Sequence, residues 1–274
     1  MKLGVSTYSF WHFRGERLPV EKYVEKAYDL GFDGVEVLVD HVENYPESEL
    51  KAARLQAFSM GLHIYSLSIH NNFVMPSAEG REKEVERVRD WLHKARALGA
   101  DVMRIDSGRW RTVKSFDELM ARGGEEPAIE GYGENDAIAW VEESVRKLLP
   151  TAEDLGIILG MENHWGISAS AKNMVELFQN VSSPYFRAIL DTGNFVHDTY
   201  EQIQMAAPYA ALVHAKTYFG GGEWYSLDID YDKIFSILRN AGFKGWVSLE
   251  YEGKEEYESG VRKSAELLRK AMLR

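Results

Sequence analysis

Apolar and polar positions alternate with period two in short runs and recur with period 3.6 in longer ones, and the two kinds of run take turns along the whole chain. The period-two runs predict strands over residues 3–10, 34–38, 63–69, 102–106, 157–163, 186–191, 211–217 and 246–251. Between them lie helical patterns over 20–30 and 47–60. Another carries Val85, Val88, Leu92, Ala95 and Leu98 on one stripe, and a further one carries Ile138, Val141, Val145, Leu148, Ala152 and Leu155. A last helix is expected from about residue 256 to 272.

A weak internal repeat supports this count. Five helical patterns close on a glycine, in Leu30-Gly31, Met60-Gly61, Leu98-Gly99, Leu155-Gly156 and Ala241-Gly242, where a left-handed residue ends a helix well. Strand–helix units without a composition break predict an α/β fold, a (β/α)8 TIM barrel forming a single domain over residues 1–274. A doubly wound open sheet is the competing topology, but no strand is followed by a glycine-rich dinucleotide fingerprint. One connection departs from the rule. Residues 107–135, after the fourth strand, form an extended loop rich in glycine and charge, expected to cover the pocket mouth or to join copies in a homo-oligomer.

The strands also share a phase. Alternate positions give Ser6 and Tyr8, Glu36, Ser66, Ser68 and His70, Arg104 and Asp106, Glu162 and His164, Asp191, His214 and Lys216, and Ser248 and Glu250. The interleaved positions, such as Val35, Val37, Leu67, Ile105, Met161, Val213 and Leu249, are apolar. One face of each strand therefore packs on helices, and the other turns polar towards its C-terminal end, which in a barrel is the active-site mouth.

Composition narrows the classes. At 274 residues with 45% apolar content the chain can bury a sizeable core. Its 43 acidic against 32 basic residues give a net charge of −11, which suits it poorly to a phosphate backbone, so no nucleic-acid partner is expected. The absence of cysteine excludes disulfides, thiolate ligands and a cysteine nucleophile. No apolar run is long enough to span a bilayer and no signal-peptide pattern opens the chain, so no membrane partner and a cytoplasmic location are the expectations.

Four strand-end residues carry the chemistry. Glu162, Asp191, His214 and Glu250 fall on the fifth to eighth strands, neighbours around a barrel. Three carboxylates converging in a cleft repel one another unless some are protonated or a cation joins them. Three oxygen ligands with one imidazole suit Mn²⁺, Mg²⁺ or Co²⁺, and Zn²⁺ less well, since it more often collects histidine or cysteine. The alternative is a hydrogen-bonded carboxylate network with no metal.

At these residues the chain resembles the xylose-isomerase-like TIM-barrel superfamily, specifically its sugar phosphate isomerase/epimerase family. The signals are Gly31-Phe32-Asp33-Gly34-Val35-Glu36, Glu162-Asn163-His164, Leu190-Asp191-Thr192-Gly193-Asn194, His214-Ala215-Lys216 and Leu249-Glu250-Tyr251. The resemblance implies that Glu162, Asp191, His214 and Glu250 hold a catalytic divalent metal, Mn²⁺ first. It implies that Glu162 and Glu250 double as the proton-transferring catalytic pair, and that Glu36, His70, His164 and Lys216 line the substrate pocket.

The physics permits that chemistry. Chelation of a carbonyl and its neighbouring hydroxyl acidifies the proton between them, and a carboxylate on each side of the sugar can remove and return it through an ene-diolate. Arg104, Trp110 and Asn194 complete the expected substrate-binding set, although an inward arginine can equally tie down Asp106 or Glu162. Trp11, Trp165, Trp224, Phe10, Phe195 and Phe219 also follow predicted strands and could wall a sugar ring or an attached aglycone. Gly220-Gly221-Gly222 lies where many barrels bind phosphate, but no basic residue stands beside it, so a phosphorylated substrate is not implied.

The expected activity is therefore a metal-dependent ketose epimerase or isomerase acting on a small sugar or sugar-like molecule. The runner-up is a metal-dependent lyase of the same superfamily, an inosose or dehydroshikimate dehydratase or a keto-glycoside-cleaving enzyme, since both begin by removing a proton beside a carbonyl. The superfamily's endonuclease IV needs a histidine three residues after the sixth-strand aspartate; that position is Asn194, and one metal rather than several is expected.

Overall fold

The computed structural model describes residues 1–195, 197–222 and 225–274. Among them the alternating runs become β1 (Lys2–Ser6), β2 (Gly34–Leu38), β3 (His63–Ser68), β4 (Val102–Ile105), β5 (Ile158–Glu162), β6 (Phe186–Asp191), β7 (Ala210–Thr217) and β8 (Trp246–Tyr251). Each pairs in parallel with the next, and β8 pairs with β1 to close a single-domain TIM barrel. The outer ring holds α1 (Val20–Asp29), α2 (Glu47–Ser59), α3 (Ala78–Leu98), α4 (Phe116–Ala121), α5 (Glu134–Leu155), α6 (Ala171–Val181), α7 (Thr199–Ala206), α8 (Tyr231–Asn240) and α9 (Tyr257–Met272). No described helix is long and apolar enough to cross a membrane.

The helical stripes bury as their period requires. Val85, Val88, Leu92, Ala95 and Leu98 of α3 are all buried, each large aliphatic contributing about 1.5–3 kcal/mol. At the end of α3, Gly99 takes φ 90°, and its N–H reaches the carbonyl of Ala95. The other four helix-closing glycines also have positive φ.

Two departures from the alternating pattern shape the interior. The first strand stops at Ser6 rather than running to residue 10, and Thr7–Phe10 form a 3-10 turn. Side chains replace the ladder there: Thr7 Oγ1 accepts from the Leu38 N–H at 2.9 Å, while Ser9 Oγ donates to the Leu249 carbonyl and accepts from the Tyr251 N–H, both at 3.0 Å. On β3 the register slips, so that Ile64 and Ser66 oppose consecutive residues Val35 and Glu36 and Tyr65 is the extra residue. Tyr65 turns inward, packs with Val102, Ile189 and Leu212, and stacks on Trp246 at 4.3 Å. Gly4 admits it, since a Cβ there would lie 2.2 Å from the tyrosine ring. The lower barrel is thereby plugged, and polar chemistry is confined to the upper half.

The extended connection over 107–135 carries α4 and is latched to the barrel. Glu126 accepts from Arg109 Nη1 and from the Arg111 N–H, both at 2.7 Å, and from the Val113 N–H at 3.2 Å. Gly124 lies flat under Trp165, and Trp110 and Tyr132 both pack edge-on against Trp140 of α5.

Candidate active site

The strand ends meet at the floor of a cavity of about 470 Å³. Register brings the groups together, pairing Asp191 with His214 and Lys216 with Glu250. Glu162, Asp191, His214 and Glu250 each offer a donor atom within 4.8 Å of the others, all buried. Asn163 fixes the spacing of β5 and β6. Its amide donates to the Asp191 carbonyl at 2.9 Å and its carbonyl accepts from the Asp191 N–H at 2.7 Å. The Gly193 N–H donates to Asp191 Oδ1 at 2.7 Å, which leaves Oδ2 to face the cluster, 3.3 Å from Lys216 Nζ.

His214 is held at both ring nitrogens. Nδ1 donates to Glu162 at 2.7 Å and stands 3.6 Å from Glu250, and Nε2 donates to Glu36 at 3.0–3.1 Å. Burial alone would lower its pKa, but Glu250, Glu36 and Glu162 together hold it well above the ordinary imidazole range. Glu36 is fully buried beneath the floor, not on the cavity lining, and also accepts from Ser66, Ser68 and Ser248. Burial pushes its carboxyl up, yet the His214 charge and these hydrogen bonds bring it down to about 2.

Two cations balance the carboxylates. Lys216 Nζ lies 2.7 Å from Glu252, 3.0 Å from Glu250 and 3.3 Å from Asp191. Burial opposes its charge, but Asp191, Glu252 and Glu250 outweigh that and raise its pKa well above the ordinary lysine range. Arg104 sits 3.1 Å from Glu162 and 3.7 Å from Asp106, and donates to His70 at 2.8 Å. Glu162 is buried, which would raise its pKa, but Arg104 and His214 depress it well below the usual range. Asp191 goes the other way: burial raises it, Lys216 only partly opposes, and Glu162 and Glu250 push it further up.

A second acidic group, Asp106 with Glu162 and His164, also has donor atoms within 4.8 Å, but the Arg104 guanidinium already stands against both of its carboxylates. Burial lowers the His164 pKa in spite of Asp106 and Glu162.

Of the sequence-selected residues, His70, Arg104, Glu162, His164, Trp165, Asn194, Lys216 and Glu250 line the cavity, while Asp191 and His214 are buried behind it. Asn194 accepts from the Tyr225 hydroxyl at 3.3 Å and keeps a buried amide nitrogen with no protein partner. Trp110 does not reach the cavity; it packs on Trp140 and borders a neighbouring cleft. Trp224 lies outside the described residues. Sequence reasoning passed over Glu252, although it stands two residues beyond Glu250 and the same alternation turns it inward. It also passed over Phe13, Leu38, Phe116, Met120 and Tyr225, which complete the wall. Phe116 and Met120 belong to α4, inside the extended connection, where no strand period points to them.

The donor set fits a divalent cation. It is oxygen-rich with one imidazole and it is buried; Asp191 Oδ2 and Glu162 Oε2 meet the ion-pairing cations Lys216 at 3.3 Å and Arg104 at 3.1 Å and accept no hydrogen bond from another described residue.

The family model described as xylose isomerase-like TIM barrel matches residues 24–271. Among solved structures, the chain is similar to a D-psicose 3-epimerase crystallised in the presence of D-fructose, at 20% identity, 99% coverage of both chains and a TM-score of 0.79. It is similar to a 3-keto-D-glucoside 4-epimerase from E. coli at 15% identity, covering 98% of this chain and 99% of that one, with a TM-score of 0.78. A probable 3-DHS dehydratase from Bacillus anthracis aligns at 17% identity over 98% and 99% of the two chains, with a TM-score of 0.71. At these identities the likeness establishes the shared fold.

Proposed function

The chain belongs to the xylose isomerase-like TIM barrel family, and on that premise we propose that it is a divalent-metal-dependent carbohydrate isomerase, a ketose epimerase by preference, that moves a proton at a carbon beside a carbonyl. The observation that carries this reading is the convergence of Glu162, Asp191, His214 and Glu250 at the base of a sugar-sized or larger cavity, Glu162 and Glu250 on its lining and Asp191 and His214 buried directly behind them. The fold shared with the D-psicose and 3-keto-D-glucoside epimerases supports it.

Glu162, Asp191, His214 and Glu250 would hold the ion, with Mn²⁺ the first choice and Mg²⁺, Co²⁺ and Zn²⁺ behind it. Bound there, the ion would act as a Lewis acid on a carbonyl oxygen and make the adjacent C–H more acidic. The chain's own groups do the rest. Glu36 fixes Nε2 of His214 and so leaves Nδ1 as the nitrogen that faces the carboxylates. Glu162 and Glu250, on opposite sides of His214 around the floor, take the proton from one face of the sugar carbon and return it on the other. Arg104, 3.1 Å from Glu162, keeps it ionised. Lys216, His164 and the free amide of Asn194 offer hydrogen bonds to sugar oxygens.

The test is turnover in D2O with Mn²⁺ and a panel of free ketoses and keto-glycosides. The expected result is deuterium at the carbon whose configuration or oxidation level changes, with product mass otherwise unchanged. A product lighter by one water would replace the isomerase with a dehydratase, the activity in the name of the probable 3-DHS dehydratase that shares the fold. Turnover with neither C–H exchange nor a change at a carbonyl-adjacent carbon would overturn proton transfer altogether.

A further inference from the structure

The cavity has two chemically distinct halves. Its floor is the charged cluster; its outer wall is apolar, built from Phe13, Leu38, Phe116, Met120 and Trp165. The volume of about 470 Å³ falls in the range of roughly 300–1,000 Å³ that buries drug-sized ligands, more than one hexose ring needs. Phe13 and Phe116 stand at the mouth, 50% and 43% exposed.

Phe13 is also held there against local preference. His12 and Phe13 both adopt left-handed backbone, at φ 49° and 59°, a conformation that is uncommon away from glycine. The His12 ring, bonded to the Tyr251 carbonyl, pins this turn, and Phe13 leans on Trp11 at 4.8 Å and Tyr8 at 5.7 Å. Strain of this kind concentrates where geometry serves binding. Across the mouth, Phe116 packs on Trp165 at 5.7 Å.

Charge completes the argument. The arginine and lysine among the described lining residues, Arg104 and Lys216, are both ion-paired to floor carboxylates, and Glu162, Glu250 and Glu252 face the same space. Among the described residues, the apolar wall offers a phosphate or carboxylate no lysine or arginine as counter-charge. It offers a phenyl or alkyl group stacking surface on aromatic rings.

We infer that the substrate is a sugar carrying an uncharged apolar substituent, aryl or long alkyl, that lies between Phe13 and the Phe116–Met120–Trp165 wall while its reacting carbons face Glu162 and Glu250. This rests on the proton-transfer reading for the reaction, and on the wall alone for the binding class.

The experiment measures binding of aryl, methyl and phosphorylated sugars to the Mn²⁺-loaded protein by calorimetry. The probes are 4-nitrophenyl β-D-glucopyranoside, methyl β-D-glucopyranoside and glucose 6-phosphate. The aryl glycoside should bind at least about tenfold more tightly than the methyl glycoside, and the phosphate most weakly. In Phe116→Ala/Met120→Ala the aryl advantage should shrink to within about twofold while methyl glycoside binding stays put. A Phe13→Ala variant gives the same reading from the other side of the mouth, should the α4 variant fold poorly. Aryl and methyl glycosides bound equally, neither bound measurably, or the phosphate bound best would each overturn the inference. The D2O assay separates this from the reaction. Exchange on free ketoses without an aryl preference in binding sinks only the substrate class. An aryl preference with no exchange on any sugar sinks the proton-transfer reading and leaves the binding class standing.

Discussion

The floor of the cavity and its outer wall are built by different means. The floor hangs on parallel strands whose register fixes every group: Asp191 opposite His214, Lys216 opposite Glu250, Asn163 bridging β5 to β6 with two hydrogen bonds. The wall hangs on a strained turn at residues 12–13 and on α4, a short helix in a long connection secured chiefly by the buried carboxylate of Glu126. Rigid elements place reacting atoms closely, whereas loops change shape at low cost to the frame. On the proposed reading the two halves have separate tasks: the reaction falls to the floor, the choice of substrate to the wall.

The largest effect should come from breaking the floor. Asp191→Asn replaces a charged ligand with a neutral amide while keeping its shape. Turnover should fall by about a thousandfold or more, and bound Mn²⁺ by elemental analysis should fall with it. Thermal unfolding should move little, because the strands stay paired. Full activity after exhaustive chelation, or an Asp191→Asn protein that keeps its metal, would defeat the metal reading.

The frame beside the mouth should reveal itself in acid. His41 is buried between Thr7 Oγ1, at 2.8 Å, and the Tyr23 hydroxyl, at 3.3 Å. Burial, aided by Arg17, lowers its pKa from 6.5 to about 4. As pH falls below 6.5 the unfolded chain takes up a proton that the folded protein refuses until about pH 4, so stability is full above that window and declines within it. The loss from this one residue is about 3 kcal/mol at most. His12, held at about 4 by burial, contributes in the same direction. Denaturant unfolding at pH 7.5 and 4.5 should therefore show a smaller acid penalty in His41→Gln than in the parent. Equal penalties would mean that His41 is protonated in the fold.

Glu36 tests whether the floor depends on support from beneath. Its carboxylate holds Nε2 of His214 and is itself held by three serines. Glu36→Gln should weaken Mn²⁺ binding about ten- to a hundredfold, the usual cost of losing a partner behind a metal-ligating histidine. A substrate-binding role would instead raise KM and leave metal affinity untouched.

The same contrast explains what could be read in the chain. The barrel and its floor were legible because burial on one strand face imposes a period of two, and eight strands repeat the same constraint. Where that constraint slipped, the reading slipped with it. Tyr65 is turned inward by a bulge, and β1 gives way to a 3-10 turn once Thr7 and Ser9 side chains replace the ladder. Glu36 kept its phase but sits one layer below the cavity, because alternation reports the face of a strand and not the depth along the barrel. Glu252 obeyed the alternation and could have been found by extending it one step. The wall had no period to read: Phe13, Phe116 and Met120 owe their positions to a left-handed turn and a latched loop.

That latch gives the smallest and most selective prediction. Glu126 lies almost wholly out of water, its side chain 1% exposed, and gathers Arg109 and two backbone N–H groups from residues 111 and 113. Glu126→Ala removes the acceptor that ties the two ends of the α4 connection together and leaves those donors to find water. Glu126 belongs to the α4 connection and to no strand, so metal content and the pH dependence of stability should stay as they were. Segment 107–135 should open locally, visible as faster amide exchange or quicker proteolytic cutting within it. Aryl glycoside affinity should fall several-fold, to no more than about tenfold, while methyl glycoside affinity holds. Loss of metal together with aryl affinity would show that floor and wall are coupled after all, and that α4 supports the reacting groups instead of merely selecting what reaches them.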